Sequence, residues 1–200
     1  MATLAELRAR VRRALQDTDA TSSLWSDADL TDGLTGGYRE YSAIDPREVR
    51  TTMAPNGTTD YVLPADFLTA VGVEIPAGVA VPQRDPAEGA GAGTVCQSWA
   101  VFGGSLRLAV APTQTITLLY RAFYTFPGSE AAATGLSPAG EEVVLWAAVV
   151  AALRQRDVST GKRRPGSAGA SASLSSAMEA KHAAVRRFRR ATSTVLRSGV

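Results

Sequence analysis

The sequence predicts an α+β fold: a helical bundle from the N- and C-terminal helices, with an antiparallel β domain inserted between the second and third helices. Three observations carry that reading. Apolar stripes of helical period, each preceded by cap residues, lie before residue 45 and after residue 136. Residues 47–124 instead hold short β-branched and alternating runs broken by Pro, Asn and Gly. Val143 to Leu153 is apolar on every side, which requires enclosure on every side. The implied organisation is 1–45 for the N-terminal helices, 46–126 for the β domain, 137–158 for the core helix, and 159–200 for a basic linker and C-terminal helical arm.

Thr3 to Asp17 reads as the first helix. Thr3 and Glu6 have capping-box spacing. Leu4, Leu7, Val11, Ala14 and Leu15 share one face, and Arg8, Arg10, Arg12 and Arg13 take the other positions. Those arginines read as a solvated face. A phosphate-contacting helix is the sharper alternative, without interleaved aromatics to stack on bases.

Leu24-Trp25-Ser26-Asp27-Ala28-Asp29-Leu30 opens the second helix, which runs to about Ala43. Ser26 is a good N-cap, Asp27 and Asp29 suit the positive end of the helix dipole, and Trp25 with Leu30 has the spacing of a hydrophobic staple. Gly33, Gly36 and Gly37 fall inside this helix, each costing ~1 kcal/mol relative to alanine. They call for close packing against another backbone or for a break. Asp45-Pro46 ends the helix.

In the β region, Glu48–Met53 and Thr59–Leu63 read as a hairpin around Pro55-Asn56-Gly57. Pro64-Ala65-Asp66-Phe67 is a tight turn, followed by an apolar strand from Leu68 to Ile75 with Val71 and Val73 in alternation. Pro76 to Gly93 reads as a long loop. Thr94–Phe102 and Ser105–Val110 form a second hairpin around Gly103-Gly104, and Thr115 to Phe126 is the longest strand. Roughly six strands suit a small sheet or sandwich.

Ser137-Pro138 starts the third helix, with serine as N-cap and proline in the first position. Its apolar run fits either the central helix of the core or part of a subunit interface. After a basic linker over 159–171, the last helix spans about Ser173 to Arg197. Leu174, Met178, Lys181, Val185, Phe188, Thr192 and Val195 form a narrow seam like one strand of a coiled coil. Arg186, Arg190 and Arg197 flank it. Such a helix either packs back on its own body or serves as a docking arm. Val143, Trp146, Val150, Val185, Phe188, Arg186, Arg190 and Arg197 are therefore the candidate oligomer or portal-type interface residues.

Charge is unevenly spread. Residues 151–200 hold 11 of the 21 Lys and Arg but 2 of the 19 Asp and Glu, a balance of +9, which leaves −7 for the first 150. That pattern attracts nucleic acid, an acidic surface or another copy of the chain. One cysteine, Cys96, excludes an internal disulfide framework. No signal peptide is visible, and the apolar run is too short to span a bilayer, so no membrane partner is expected.

Enzyme chemistry finds no support. His182 is the only histidine and lies on the basic helix without a nucleophile context. No cluster has metal-ligand spacing, and no cofactor motif survives: Gly161-Lys162 lacks the phosphate-loop pattern, and Gly89 to Gly93 has no helix signal after it. Glu141 and Glu142 are a helix-start pair pointing apart.

An Arg-rich first helix, the Trp25 to Leu30 start of the second, the Tyr61 to Phe67 turn into a β insert and the Ser137 helix start together resemble the head–tail connector (adaptor) proteins of tailed bacteriophages. The likeness covers about the first 160 residues in layout. It implies a non-enzymatic virion protein at the neck between capsid and tail, assembled in the host cytoplasm. It also implies a ring, typically of twelve copies, below the portal protein, with genomic DNA passing through its channel. Its partners would be itself, the portal protein, and a tail or second connector protein. The apolar third helix would pack in the ring, the β insert would face a neighbouring ring, and the C-terminal arm would grip the portal or a neighbouring subunit. The rival class is a nucleic-acid-binding module using Arg186, Arg187, Arg189 and Arg190 on phosphates, with steep salt dependence.

Overall fold

The computed structural model describes residues 2–19, 23–84, 97–161 and 168–197, of which 157–161, 168–172 and 191–197 are described by backbone alone. Cys96, Gly89 to Gly93 and the basic stretch 162–167 lie outside the described residues. Among the described residues, four helices and seven strands make an α+β fold, divided into Met1–Ile44 with Tyr124–Val200, and Asp45–Phe123.

The first unit is helical. Helix α1 spans Leu4–Ala14. Its capping box forms as expected: Thr3 Oγ1 accepts from the Glu6 amide while the Glu6 carboxylate accepts from the Thr3 amide. Leu4, Leu7 and Val11 are buried. Just past its end, Gln16 adopts φ 56°, a left-handed conformation rare outside glycine.

Helix α2 spans Asp27–Ile44 without a break. Its start is tighter than the cap residues alone predict. Ser26 Oγ accepts from the Asp29 amide at 3.1 Å, and the Asp29 carboxylate accepts from the Ser26 amide at 3.0 Å. Trp25 and Leu30 are both buried in one core cluster, as a staple requires.

Helix α3 spans Pro138–Gly161, with Ser137 Oγ accepting from the Gly140 amide at 3.1 Å. One of the α2 glycines now has a reason. A Cβ on Gly37 would lie 2.9 Å from the Val144 carbonyl oxygen, whereas one on Gly33 would sit in ordinary contact with Ala148 at 3.4 Å. Glycine lets α2 press its backbone onto α3. Gly36 faces open space.

Helix α4 spans Ala168–Arg197 and packs back on α3. Ala177, Ala184 and Phe188 are buried, with Leu174, Met178 and Val185 partly buried against the same core. Lys181 reaches Glu40 at 2.7 Å. From Leu174 to Phe188 the predicted seam is occupied by its own chain; the side chains of Thr192 and Val195 lie outside the described residues. Of the two readings of the apolar run, the core helix is the one observed: Val143, Val144, Ala148, Val149, Val150 and Ala152 are buried in the unit's own core.

The second unit is all β. Strands β1 (Arg47–Met53), β7 (Ile116–Ala122), β3 (Phe67–Glu74) and β4 (Ala80–Val81) form one antiparallel sheet in the order β1-β7-β3-β4. Strands β2 (Asp60–Val62), β6 (Ser105–Leu108) and β5 (Trp99–Phe102) form another in the order β2-β6-β5. Both sheets contribute to one core, including Tyr61, Val73, Trp99, Leu106, Ile116, Leu118 and Tyr120.

Several local expectations change here. The Asn56-Gly57 turn forms, with Asn56 Oδ1 accepting from the Thr58 amide and Gly57 at φ 76°. It does not close a hairpin, because β1 pairs with β7 and β2 with β6. The turn carries the chain from one sheet to the other. Val71 and Val73 do not share a face. A register shift between Ala70 and Gly72 inserts Val71 as an extra residue, leaving it exposed while Val73 is buried. Part of the expected long loop is strand β4, paired with β3. Strand β7 has seven residues to β3's eight, so it is not the longest; it is central, and Tyr124 and Phe126 beyond it belong to the helical core. The Gly103-Gly104 hairpin is as predicted, both glycines at positive φ.

The β unit begins and ends on one rung, with Arg47 the partner of Ala122. In the helical unit the Tyr124 amide donates to Ser42 Oγ at 2.9 Å.

Candidate interaction surfaces

Of the α1 arginines read as a solvated face, Arg13 is exposed, but Arg8, Arg10 and Arg12 are drawn into ion pairs. Arg8 pairs with Glu130 and with Asp27, the latter at 3.2 Å. Arg10 meets Glu141 at 3.0 Å. Arg12 bridges Asp17 at 2.8 Å and Asp27 at 2.6 Å. Asp17 is buried, and its carboxylate also accepts from the amides of Leu24 and Trp25. The linker between α1 and α2 is thus tied back by one aspartate. The hydrogen bond from Arg12 holds the Asp27 carboxyl below its ordinary range despite an opposing effect of burial.

Glu141 is the most constrained of these acids. Burial alone would raise its carboxyl. The Ala2 amide, the Thr134 hydroxyl and the Arg10 guanidinium all donate to the ionised form and leave it below the usual glutamate range. Read from sequence as one of a helix-start pair, it is the buried anchor of the N-terminus. Burial also pushes the nearby Tyr38 phenol up to about 12, its hydroxyl donating to the Thr134 carbonyl at 2.8 Å. A cleft of about 400 Å³ is lined by Arg12, Asp17, Thr18, Asp19, Ser23, Ser26 and Asp27. Its charges largely satisfy one another, with Arg12 bridging Asp17 and Asp27.

The candidate interface residues divide into three groups. Val143, Val150 and Phe188 are buried in the chain's own core, and Trp146 and Val185 are partly buried against it. Arg186 and Arg190 are exposed on α4, as are Arg187 and Arg189. Arg187 pairs with Glu142 at 2.8 Å. The side chain of Arg197 lies outside the described residues. The apolar run of α3 is covered by α1, α2 and α4 of the same chain.

Sequence reasoning missed the apolar surface of the β unit. Val62 is 86% exposed and Phe102 58%. Both stand opposite Ser105 across adjacent strand pairs, so they share a face of the three-stranded sheet. Arg107 lies over the Phe102 ring at 5.5 Å and pairs with Asp60 at 2.8 Å. Val71 and Val79 are also more than half exposed. The signal in sequence was the even alternation of β2 and β5, which forces one apolar residue of each outward.

The model of the SU10 adaptor protein family matches residues 2–198. The chain belongs to that family. No curated protein matches it. The adaptor family is one of phage structural proteins, so this chain is a phage adaptor structural protein. The match extends past the 160 residues of the expected likeness and takes in α4, which makes the last helix part of the adaptor fold rather than an appendage. A structural family implies a non-enzymatic role and interactions with other phage structural proteins. Among the described residues no group of His, Cys, Asp and Glu could hold a metal ion, and no helix is long and apolar enough to cross a membrane.

Proposed function

We propose that this adaptor forms a ring, of twelve copies, below the portal protein at the virion neck, extending the DNA channel and joining capsid to tail. The observation that carries the reading is the family match along almost the whole chain. The architecture supports it in a way the sequence did not anticipate. With the apolar helix enclosed, assembly has to use surfaces that are exposed in a single folded copy. The β unit supplies apolar ones at Val62 and Phe102, a suitable meeting face for a neighbouring ring or a tail protein. Around the helical unit, the partly exposed Trp146 and Val185 and the exposed Arg186 and Arg190 remain the candidates for contacts with the portal or a neighbouring copy. Val143, Val150 and Phe188 would serve by holding α3 and α4 in place.

Negative-stain imaging of the purified chain, alone and mixed with its portal, tests this. Rings of twelve seated on the portal are the expected result. A chain that stays monomeric at high concentration and leaves portal particles bare overturns it.

A further inference from the structure

We infer that β1 is a self-pairing edge: two copies of this chain join their β1 strands antiparallel, centred on Val49, into one continuous sheet. Strand β1 ends its own sheet, with β7 on one side. Which of its backbone groups are free follows from β7. The Phe123 amide donates to the Asp66 carbonyl at 2.8 Å, toward the β3 side. Backbone groups alternate sides along a strand, so Ala122, Tyr120, Leu118 and Ile116 turn theirs toward β1. Their partners Arg47, Val49, Thr51 and Met53 are therefore the hydrogen-bonded residues of that ladder. Glu48, Arg50 and Thr52 turn their amides and carbonyls outward, where no described residue bonds them. Among the described residues the other sheet edges are short or partly closed. Strand β4 has two residues, between Pro76 and Pro82. On the three-residue β2, the Asp60 carbonyl accepts from the Thr58 hydroxyl. On β5, the Trp99 amide donates to the Pro82 carbonyl, and the Trp99 carbonyl accepts from the Arg84 amide. Strand β1 has seven residues, no proline and no register shift against β7. A straight open edge of that length is a template for another strand.

The charges of β1 select the occupant. Glu48 and Arg50 are exposed and lie on one face of the pleat. A second β1 running antiparallel about Val49 sets Glu48 of each copy against Arg50 of the other, so opposite charges meet twice. Both residues have outward backbone groups, so each pair also exchanges main-chain hydrogen bonds. Val49, partly buried against the β core, meets Val49 of the other copy. Centring the pair on Glu48 or on Arg50 would oppose like charges, and centring it on Thr51 leaves Glu48 with no strand residue opposite. The ion pairs of β1 are Arg47 with Asp66 and Arg50 with Glu74, which leaves Glu48 without one among the described residues. A guanidinium carries five donors, so Arg50 can hold Glu74 and a second carboxylate together. Such a contact closes at two copies, which makes it separate from the contacts that would build a ring.

The test uses the full chain without portal. Sedimentation across a range of concentration should show association in units of two copies. Glu48→Arg sets arginine against arginine, and Arg50→Glu sets glutamate against glutamate, so each variant alone should lose the dimer. An equimolar mixture of the two should regain it, because every pair across the junction is then of opposite sign. Circular dichroism checks that each variant keeps its fold. Residue-resolved hydrogen exchange of the parent needs no variant: the amides of Glu48 and Arg50 should be protected at high concentration and open at low, while those of Val49 and Thr51 stay protected throughout. Fast exchange at Glu48 and Arg50 at every concentration, single variants that dimerise like the parent, or a mixture as monomeric as its components overturns the inference. Rings that leave those two amides open sink it while the ring reading stands, and a protected dimer that never seats on the portal does the reverse.

Discussion

The helical and β units solve the same problem, burying apolar side chains, to different degrees. Nineteen buried residues form the helical core and ten the β core. Among the described side chains, the large apolar residues left exposed are Leu24 in the helical unit and Val62, Val71, Val79, Phe102 and Val110 in the β unit. The helical unit spends its apolar surface on itself, including the run in α3. The β unit keeps some in contact with water, where it can serve a partner. The apolar run attracted attention in the sequence as a contact surface, but exposure, and not hydrophobicity, identifies such surfaces.

Four substitutions would break or sharpen that contrast. The largest effect belongs to Leu34→Ala, which removes a side chain with no exposure from the helical core. It should cost about 3 kcal/mol by denaturant unfolding. A cost below about 1 kcal/mol would mean a bundle much looser than described.

The adjacent glycines of α2 come next. Gly37→Ala places a methyl against the Val144 carbonyl, so α2 must move off α3, at a cost of about 1–3 kcal/mol. Gly36→Ala adds a methyl in open space and should stabilise by up to about 1 kcal/mol through helix propensity. Opposite signs at neighbouring positions are the signature of a one-sided close approach. Equal signs would refute it.

Glu141 contributes to the pH dependence of the helical unit. Its folded carboxyl lies below its ordinary value of 4.5. When pH falls below that ordinary value the unfolded chain takes up the proton first, so its contribution is present at neutral pH and is lost as pH falls through the folded value. Urea midpoints measured from pH 7 to pH 3 should decline, and in Glu141→Gln part of that decline should vanish along with about 2 kcal/mol of neutral-pH stability.

The smallest effect on stability is the most informative about function. Val62→Ser with Phe102→Ser removes exposed apolar surface and should shift unfolding by less than about 0.5 kcal/mol. The same double variant should fail to assemble with its partner proteins in sedimentation experiments. Normal assembly would move the contact surface elsewhere.

What could be read in advance was local. The Thr3 and Glu6 reciprocal cap, the Ser137-Pro138 start and the Gly103-Gly104 hairpin each depend on residues within a few positions of one another. What could not be read was the choice of distant partners. The first two strands look like a hairpin, yet β1 finds β7 nearly seventy residues on, because strand pairing is settled by the faces available in the assembled sheet. The arginines of α1 look solvated until Glu141, 131 residues away from Arg10, comes into reach. Val71 obeys alternation in sequence and breaks it in space through one bulge. Val143, Val150 and Phe188 turned out to lie inside the core for the same reason: covering α3 required α4, whose seam was legible but whose partner was not.

One consequence concerns how such a chain can diversify. The β unit leaves the path of the backbone at Arg47 and rejoins it at Ala122, a pair of facing residues whose Cα atoms lie about 5 Å apart in an antiparallel ladder. On the bundle side, Ser42 and Tyr124 are already fastened together. The excursion behaves like a cartridge with both terminals at one plug. A different module with similarly close ends can be spliced between those points, so a phage lineage can exchange the β unit of its adaptor while inheriting the helical chassis intact.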